Sequence, residues 1–430
     1  MTAHSREKTG LSRGRLSTIL FVLPAGVLLS CLSFVSTRCD RITSPINHPI
    51  TGERWTGTWA ASPQLVEPGN MPPAPGLANN TLRQIVCVSI GGERLRVRFS
   101  NEFSTSPVTL DSVHFTVAAA AASSAIDTST GLLLAFNGSR SVTLAPDSLV
   151  NSDPFDFDLQ PRALIAITIH FGSTSSDVTG HPGSRTTSYL VAGNQVDAPE
   201  FNRPKMTDHW YVISGIDVAG EAPAGAVVCL GNSITDGRGS GTNRQNRWPD
   251  ELMKRLLADP ETENVSVLNE ALGGNCILKF CIGPGALSRF ERDVLKQHGV
   301  RWLIILEGVN DIGNAQNAAD ADSIAGNLIA AYERMIDRAH TEDIRVYGAT
   351  ILPFQGHSYY TDARDAARMR VNDWIRTGGR FDAVIDFDAA MRDPLNPRRL
   401  LPAVDGGDHL HPNEHGYQVM AGAVDLTLFR

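Results

Sequence analysis

Positive charge is scarce in this chain of 430 residues: 38 Lys and Arg stand against 46 Asp and Glu, a formal net charge of −8. No Lys/Arg-rich block interrupts the body of the sequence. The basic face that tracks nucleic-acid phosphates is therefore missing, and no nucleic-acid partner is expected. Cysteine is sparse as well, six in all, and no second pair accompanies Cys276 and Cys281. A structural zinc site is disfavoured on that count, and no resident metal or cofactor is expected. Long apolar stretches are confined to Leu16 to about Val35, itself interrupted by Ser17, Thr18, Pro24 and Ser30.

That stretch follows Arg6, Lys8, Arg13 and Arg15, the order of a secretory signal. Its length also approaches a membrane span, so an uncleaved anchor fits too. Leu28-Leu29-Ser30-Cys31 resembles a lipoprotein cleavage box, but Leu29 and the apolar residues after Cys31 make the match poor. Export is expected either way, to the medium or the cell surface, with residues 1–50 kept out of the fold. Cys87 and Cys229 lie in apolar runs, where a free thiol behaves as a small hydrophobe. Cys276 and Cys281 sit five apart in a loop-like stretch. A short disulfide and two unpaired thiols both fit the spacing.

What is present is ample core material, 42% hydrophobic residues with 20% charged, at a length that suits two domains. Residues 51–220 read as β. Arg94 to Phe99 and Ile165 to Phe171 alternate strictly, and Leu82–Ile90, Val108–Val117, Gly131–Phe136, Ser184–Val191 and His209–Ile216 are further strands. Short strands between Gly, Pro, Asn and Ser turns predict a β-sandwich of jelly-roll type. After the linker Gly220–Gly225 the period changes. Apolar runs at Ala226–Leu230, Val265–Asn269, Trp302–Leu306, Arg345–Thr350 and Ala383–Phe387 alternate with amphipathic ones. The amphipathic stretches are Pro249–Ala258, Ala286–His298, Ala321–His340, Asp362–Thr377 and Asn413–Leu428. Strand-helix alternation over 221–430 predicts a parallel α/β sheet with helices on both faces and a site at the strands' carboxyl ends.

Three segments that follow strands carry chemistry. Ser233, in Gly231-Asn232-Ser233-Ile234-Thr235-Asp236, is a nucleophile candidate, although a lone serine there also suits a helix cap. Asp408-His409-Leu410-His411-Pro412 offers His411 as base and Asp408 as the carboxylate that orients it. For a developing oxyanion the donors are the Ser233 and Gly274 backbone N–H groups and the Asn310 amide. Gly274 and Asn310 are equally consistent with ordinary turns. Their joint position after successive strands gives them weight. The imidazoles of His409, His411 and His415 supply too little convergence for zinc.

These blocks resemble the SGNH (GDSL-like) hydrolase superfamily of secreted esterases and lipases. Gly231–Asp236 resembles the first block. Asn269-Glu270-Ala271-Leu272-Gly273-Gly274-Asn275 resembles the second, Gly308-Val309-Asn310-Asp311 the third and Asp408–His411 the last, in order across about 225–425. The resemblance implies a flavodoxin-like three-layer α/β/α sandwich with an open site, and roles for Ser233, Asp408, His411, Gly274 and Asn310 as above. The segment from Arg54 to Pro63 is similar to the start of bacterial members with an N-terminal β-sandwich. One departure stands out: Asn232 occupies the place of the usual Asp. The expected activity is a secreted serine esterase working through an acyl-enzyme on short acyl esters of carbohydrate. Lipid or simple aryl esters, or a non-catalytic carbohydrate-binding surface protein, are the alternatives. Small-molecule or polysaccharide esters are the expected partners, with membrane attachment through the N-terminal segment left open.

Overall fold

Residues 53–220 and 225–430 are described by a computed structural model. The expected export segment, with Cys31 and Cys39, and the linker residues 221–224 lie outside the described residues.

Alternation dictates the first part. Leu95, Val97 and Phe99 are fully buried on one side of the strand Gly92–Ser100, with Arg94 and Arg96 partly exposed on the other. Ile165, Ile167, Ile169 and Phe171 turn inward from Leu164–Phe171 in the same way. Its opposite face, through Ala166, meets Ile85, Tyr189 and Val191 in a second, smaller cluster. Gly92–Ser100 belongs to a five-stranded antiparallel sheet ordered Trp55–Ala60, Ile213–Ala219, Gly92–Ser100, Leu149–Asn151, with Phe155–Leu159 beside Gly92–Ser100. Leu164–Phe171 sits in a seven-stranded sheet ordered Lys205–Thr207, Ser188–Ala192, Asn80–Cys87, Leu164–Phe171, Val108–Val117, Leu132–Leu133, with Val142–Leu144 on Val108–Val117. Both sheets feed one apolar cluster. A small third sheet joins Trp210–Tyr211, Thr179–His181 and Gln64–Leu65.

Two expected strands are shorter than their sequence suggests. Gly131–Phe136 keeps only Leu132–Leu133, and Ser184–Val191 only Ser188–Ala192. The Ser184 hydroxyl donates to Thr186 O, and Thr187 N–H donates to Asn243 Oδ1. Side-chain partners thus compete with the ladder there. Expected strand His209–Ile216 is cut at Val212, whose φ of 67° no strand accommodates.

Past residue 224 five parallel strands form: Gly225–Gly231, Val265–Ala271, Val300–Leu306, Arg345–Ala349 and Ala383–Ile385. Ala226 to Leu230 are fully buried, as a strand covered on both faces requires. The order is second, first, third, fourth, fifth, the flavodoxin-like arrangement with its switch point between the first and third strands. Right-handed crossovers then send the first connecting helix, Trp248–Leu257, to one face and the next three connections to the other. The packing agrees: Trp248–Leu257 lies on Glu414–Gly422, and Ala318–His340 lies on Asp362–Thr377. Thr361 caps the latter by accepting from Arg364 N–H. The expected helix Ala286–His298 is α only over Ala286–Phe290 and continues as a π-turn, Glu291–Leu295.

The β-rich region covers the outer edge of the parallel sheet, where unpaired backbone groups would otherwise stand open. Ala61 bridges Asn269 in parallel, and Val267 N–H donates to Ser89 Oγ at 2.8 Å. Gly57 comes so close to Leu268 that a Cβ would lie 2.9 Å from its Cδ1. Gly52–Arg430 is one compact unit.

Candidate active site

The first parallel strand ends at Gly231, where a Cβ would strike the Thr235 side chain, so only glycine lets the chain turn tightly enough. Asn232 Oδ1 accepts from Ile234 N–H at 3.1 Å and starts a single helical turn, Ser233–Asp236. Gly237, at φ 94°, ends it. Ser233 is thereby held at the switch point. Its Oγ lies 2.8 Å from His411 Nε2. His411 Nδ1 lies 2.7 Å from Asp408 Oδ2, and Asp408 Oδ1 accepts from the Leu410 and His411 N–H groups. One short loop thus supplies and aligns both groups.

Nδ1–H donates to the carboxylate, which leaves the Nε2 lone pair to accept from the serine hydroxyl. Partial burial works to raise the Asp408 pKa, but the His411 N–H and imidazole outweigh it and bring it down to about 2. Burial lowers the His411 pKa below its ordinary value although Asp408 opposes the shift. The base is therefore neutral and the carboxylate charged at neutral pH. Such a set can deprotonate Ser233 as it attacks an acyl carbon.

Gly274, at φ 66°, and Asn310 face the same cavity as Ser233. Asn310 Nδ2 donates to Asn275 O at 2.7 Å, and its Oδ1 accepts from Tyr359 Oη–H at 3.1 Å. Those two bonds fix the amide plane and leave the second N–H of Nδ2 for a ligand oxygen. Asp311 pins the intervening loop by accepting from Ile277 and Leu278 N–H groups. Cys276 and Cys281 are joined in that loop, with Cα atoms 5.8 Å apart.

The departure at Asn232 has a local partner. Its Nδ2 donates to Glu307 Oε2 at 3.2 Å, and Glu307 lies just before the Gly308–Asn310 turn. Burial pushes the Glu307 pKa up to about 8. The Asn232 amide supplies this carboxyl with a donor that needs no proton of its own.

Sequence reasoning missed Arg289. Fully buried, it donates to Gly231 O, Glu270 O and Asn275 Oδ1 and pairs with Asp293 at 2.9 Å. It thereby ties the ends of two strands to the Gly274 loop. The available signal was an Arg289–Asp293 pair at i,i+4 beside the apolar stripe Ala286, Phe290, Val294. The contribution of the β-rich region was missed too. A cavity of about 390 Å³ over Ser233 is lined by Gly274, Asn310, Asp408 and His411 on one side, and by Gln64, Glu67, Asn70, His181, Arg185 and His209 on the other. Glu67 orders that second wall, accepting from Gln64 Nε2 and Asn70 Nδ2. His409 stays apart from the site and pairs with Asp405. Trp248 and Phe354 are core residues, while Phe280 is 68% exposed and lines a small neighbouring cavity.

Residues 229–419 match the model of the GDSL-like lipase/acylhydrolase family. No curated protein matches the chain. Among solved structures, an acetylxylan esterase from Geobacillus stearothermophilus is 19% identical over 47% of this chain and 93% of its own, with a TM-score of 0.36. A GDSL-like lipase from Bacteroides thetaiotaomicron is 19% identical over 47% of this chain and 89% of its own, with a TM-score of 0.34. The match to the GDSL-like lipase/acylhydrolase family thus falls within the parallel α/β region, and a β-rich region precedes it in this chain.

Proposed function

We propose that this chain is an exported serine esterase whose preferred substrates are short acyl esters of carbohydrate. The hydrogen-bonded series Ser233–His411–Asp408, open to one cavity, is the observation that carries the reading. Ser233 Oγ attacks the acyl carbon and its proton passes to His411 Nε2. The Ser233 and Gly274 N–H groups and the Asn310 amide receive the oxyanion. His411 then protonates the departing alcohol, and water, activated by the same base, releases the acid. The polar wall from the β-rich region favours a hydroxyl-rich alcohol over a lipid chain, and the modest volume favours a small acyl group.

In this reading the two antiparallel sheets make a jelly-roll-like sandwich over 51–220 that serves the catalytic region, 221–430. Export rests on the basic and apolar order of residues 1–50, and the Cys276–Cys281 bond fits an oxidising compartment. The test sets the full chain beside Ser233→Ala on nitrophenyl acyl esters, lipid esters and acetylated polysaccharides, reading released acid. Ser233→Ala is expected to lose roughly 10⁴-fold or more in kcat while remaining folded. Equal turnover by both proteins would end the assignment. Preference for lipid esters would end the carbohydrate part alone.

A further inference from the structure

A buried histidine–aspartate pair beside the Ser233 turn joins the two regions. His181 comes from the β-rich region, on Thr179–His181, and Asp236 is the last residue of the turn that begins at Ser233. Their side chains are 3% and 1% exposed, and Nε2 lies 2.9 Å from Asp236 Oδ1. The other ring nitrogen, Nδ1, lies 2.9 Å from Ser62 O. A backbone carbonyl only accepts, so Nδ1 must carry a hydrogen. A carboxylate only accepts as well, so Nε2 needs one too. A neutral imidazole has a single N–H, and the pair therefore holds one proton more than a neutral imidazole with a carboxylate.

We propose that His181 is a positioning residue for the nucleophile, a buried imidazolium from the β-rich region that clamps Asp236 and so fixes the Ser233–Asp236 turn. The proposal rests on the esterase reading for its kinetic consequence, not for its geometry. Burial opposes ionisation of Asp236, but His181, Arg185 and Arg247 together outweigh it and lower the carboxyl's pKa. Other charged or titratable groups around the pair include Arg185, 3.9 Å from Asp236 Oδ2, Arg247 and the Tyr417 phenol, with Asp408 acting on the last. Both arginines favour the carboxylate. The approach of the two regions is tight here: a Cβ on Gly183 would fall 1.9 Å from Asp236 Oδ2. Ser62 extends the link, because its hydroxyl donates into the Glu270–Asp293 pair and receives Arg289 Nη1–H. Removing the extra proton at high pH leaves a nitrogen lone pair facing an oxygen, which pushes the clamp apart.

The pH profile of kcat for the full-length protein, Asp236→Asn and His181→Gln tests the idea. In Asp236→Asn the new side-chain amide can donate an N–H to Nε2 of a neutral His181, so that variant needs no extra proton. The wild type is expected to lose kcat on the alkaline side, and Asp236→Asn to retain it there. His181→Gln should lower kcat about tenfold with KM little changed, the scale of a small misplacement of the attacking atom. An alkaline limb that is the same in wild type and Asp236→Asn overturns the proposal. Nitrogen-15 NMR of the histidine rings in full-length Ser233→Ala gives a readout free of turnover. Two N–H hydrogens on His181 at neutral pH support the clamp, and a single one refutes it whatever the enzyme hydrolyses. Failure of the esterase reading alone would leave that doubly protonated ring in place.

Discussion

At the scale of single residues, the site is a set of groups each denied its alternatives. His411 has one nitrogen committed to Asp408, so the other faces Ser233. Asn310 spends one N–H on Asn275 O and its oxygen on Tyr359, so a single N–H remains directed at the cavity. Replacing Asn310 by Ala should therefore cost about 10²–10³-fold in kcat, the usual size for one oxyanion donor. Steady-state kinetics on a nitrophenyl acetate checks this, and a change confined to KM would mean that Asn310 only binds substrate. Ser233, Asp408, His411, Gly274 and Asn310 were singled out in the sequence as candidates, and the structure brings all five to one cavity. Arg289 and His181 were not singled out. Apart from the i,i+4 pair of Arg289 with Asp293, each acts through carbonyls and carboxylates brought near by folding, partners that no local spacing records.

At the scale of elements, the loop from Gly274 to Pro284 illustrates how a flexible segment is made into a platform. It carries a glycine at positive φ, is clamped by Asp311 and Asn275, and is closed by Cys276–Cys281. Replacing both cysteines by Ser should destabilise the fold by about 2 kcal/mol, the chain-entropy value for so short a loop. It should also lower kcat more than it raises KM, since Gly274 loses its fixed position. Thermal melts and initial rates on the same preparation check both parts; an unchanged kcat would mean that the hydrogen bonds alone hold the loop. Helices such as Asp362–Thr377 and the strand Val108–Val117 matched their sequence patterns to the residue. The expected strand Ser184–Val191 did not, because Asn243 from the other region claims the Thr187 N–H.

At the scale of the whole molecule, buried charge is gathered where the regions meet. Ser62 has one hydroxyl hydrogen but touches both Glu270 and Asp293. Glu270 takes the proton, its pKa pushed up to about 8 by burial and the neighbouring Asp293, and Asp293 keeps the charge beside Arg292 and Arg289. Glu307 is likewise raised from 4.5 to about 8 by burial. A carboxyl whose folded pKa exceeds its unfolded one binds more protons in the native state, so its stabilisation is complete below the unfolded value and is lost as pH rises through the folded one. The melting temperature should accordingly fall between about pH 5 and pH 8, and Glu307→Gln should make that fall shallower. Calorimetry across this range decides it; an identical slope in the variant would show that Glu307 ionises normally.

Period and motif by themselves determined that a β-rich region precedes a parallel α/β sheet, and which residues are candidates for its site. Those properties depend on the alternation of apolar side chains and on short stretches of chain, so they can be read locally. The tertiary structure alone decided that Gln64, Glu67, Asn70, His181 and Arg185 form a wall of the same cavity, and that Arg289 knots the strand ends together. Several of these contacts join residues far apart in the chain, through hydrogen bonds to side chains and to backbone carbonyls alike. A backbone carbonyl looks the same at every position of a sequence, and only its place in space gives it a partner.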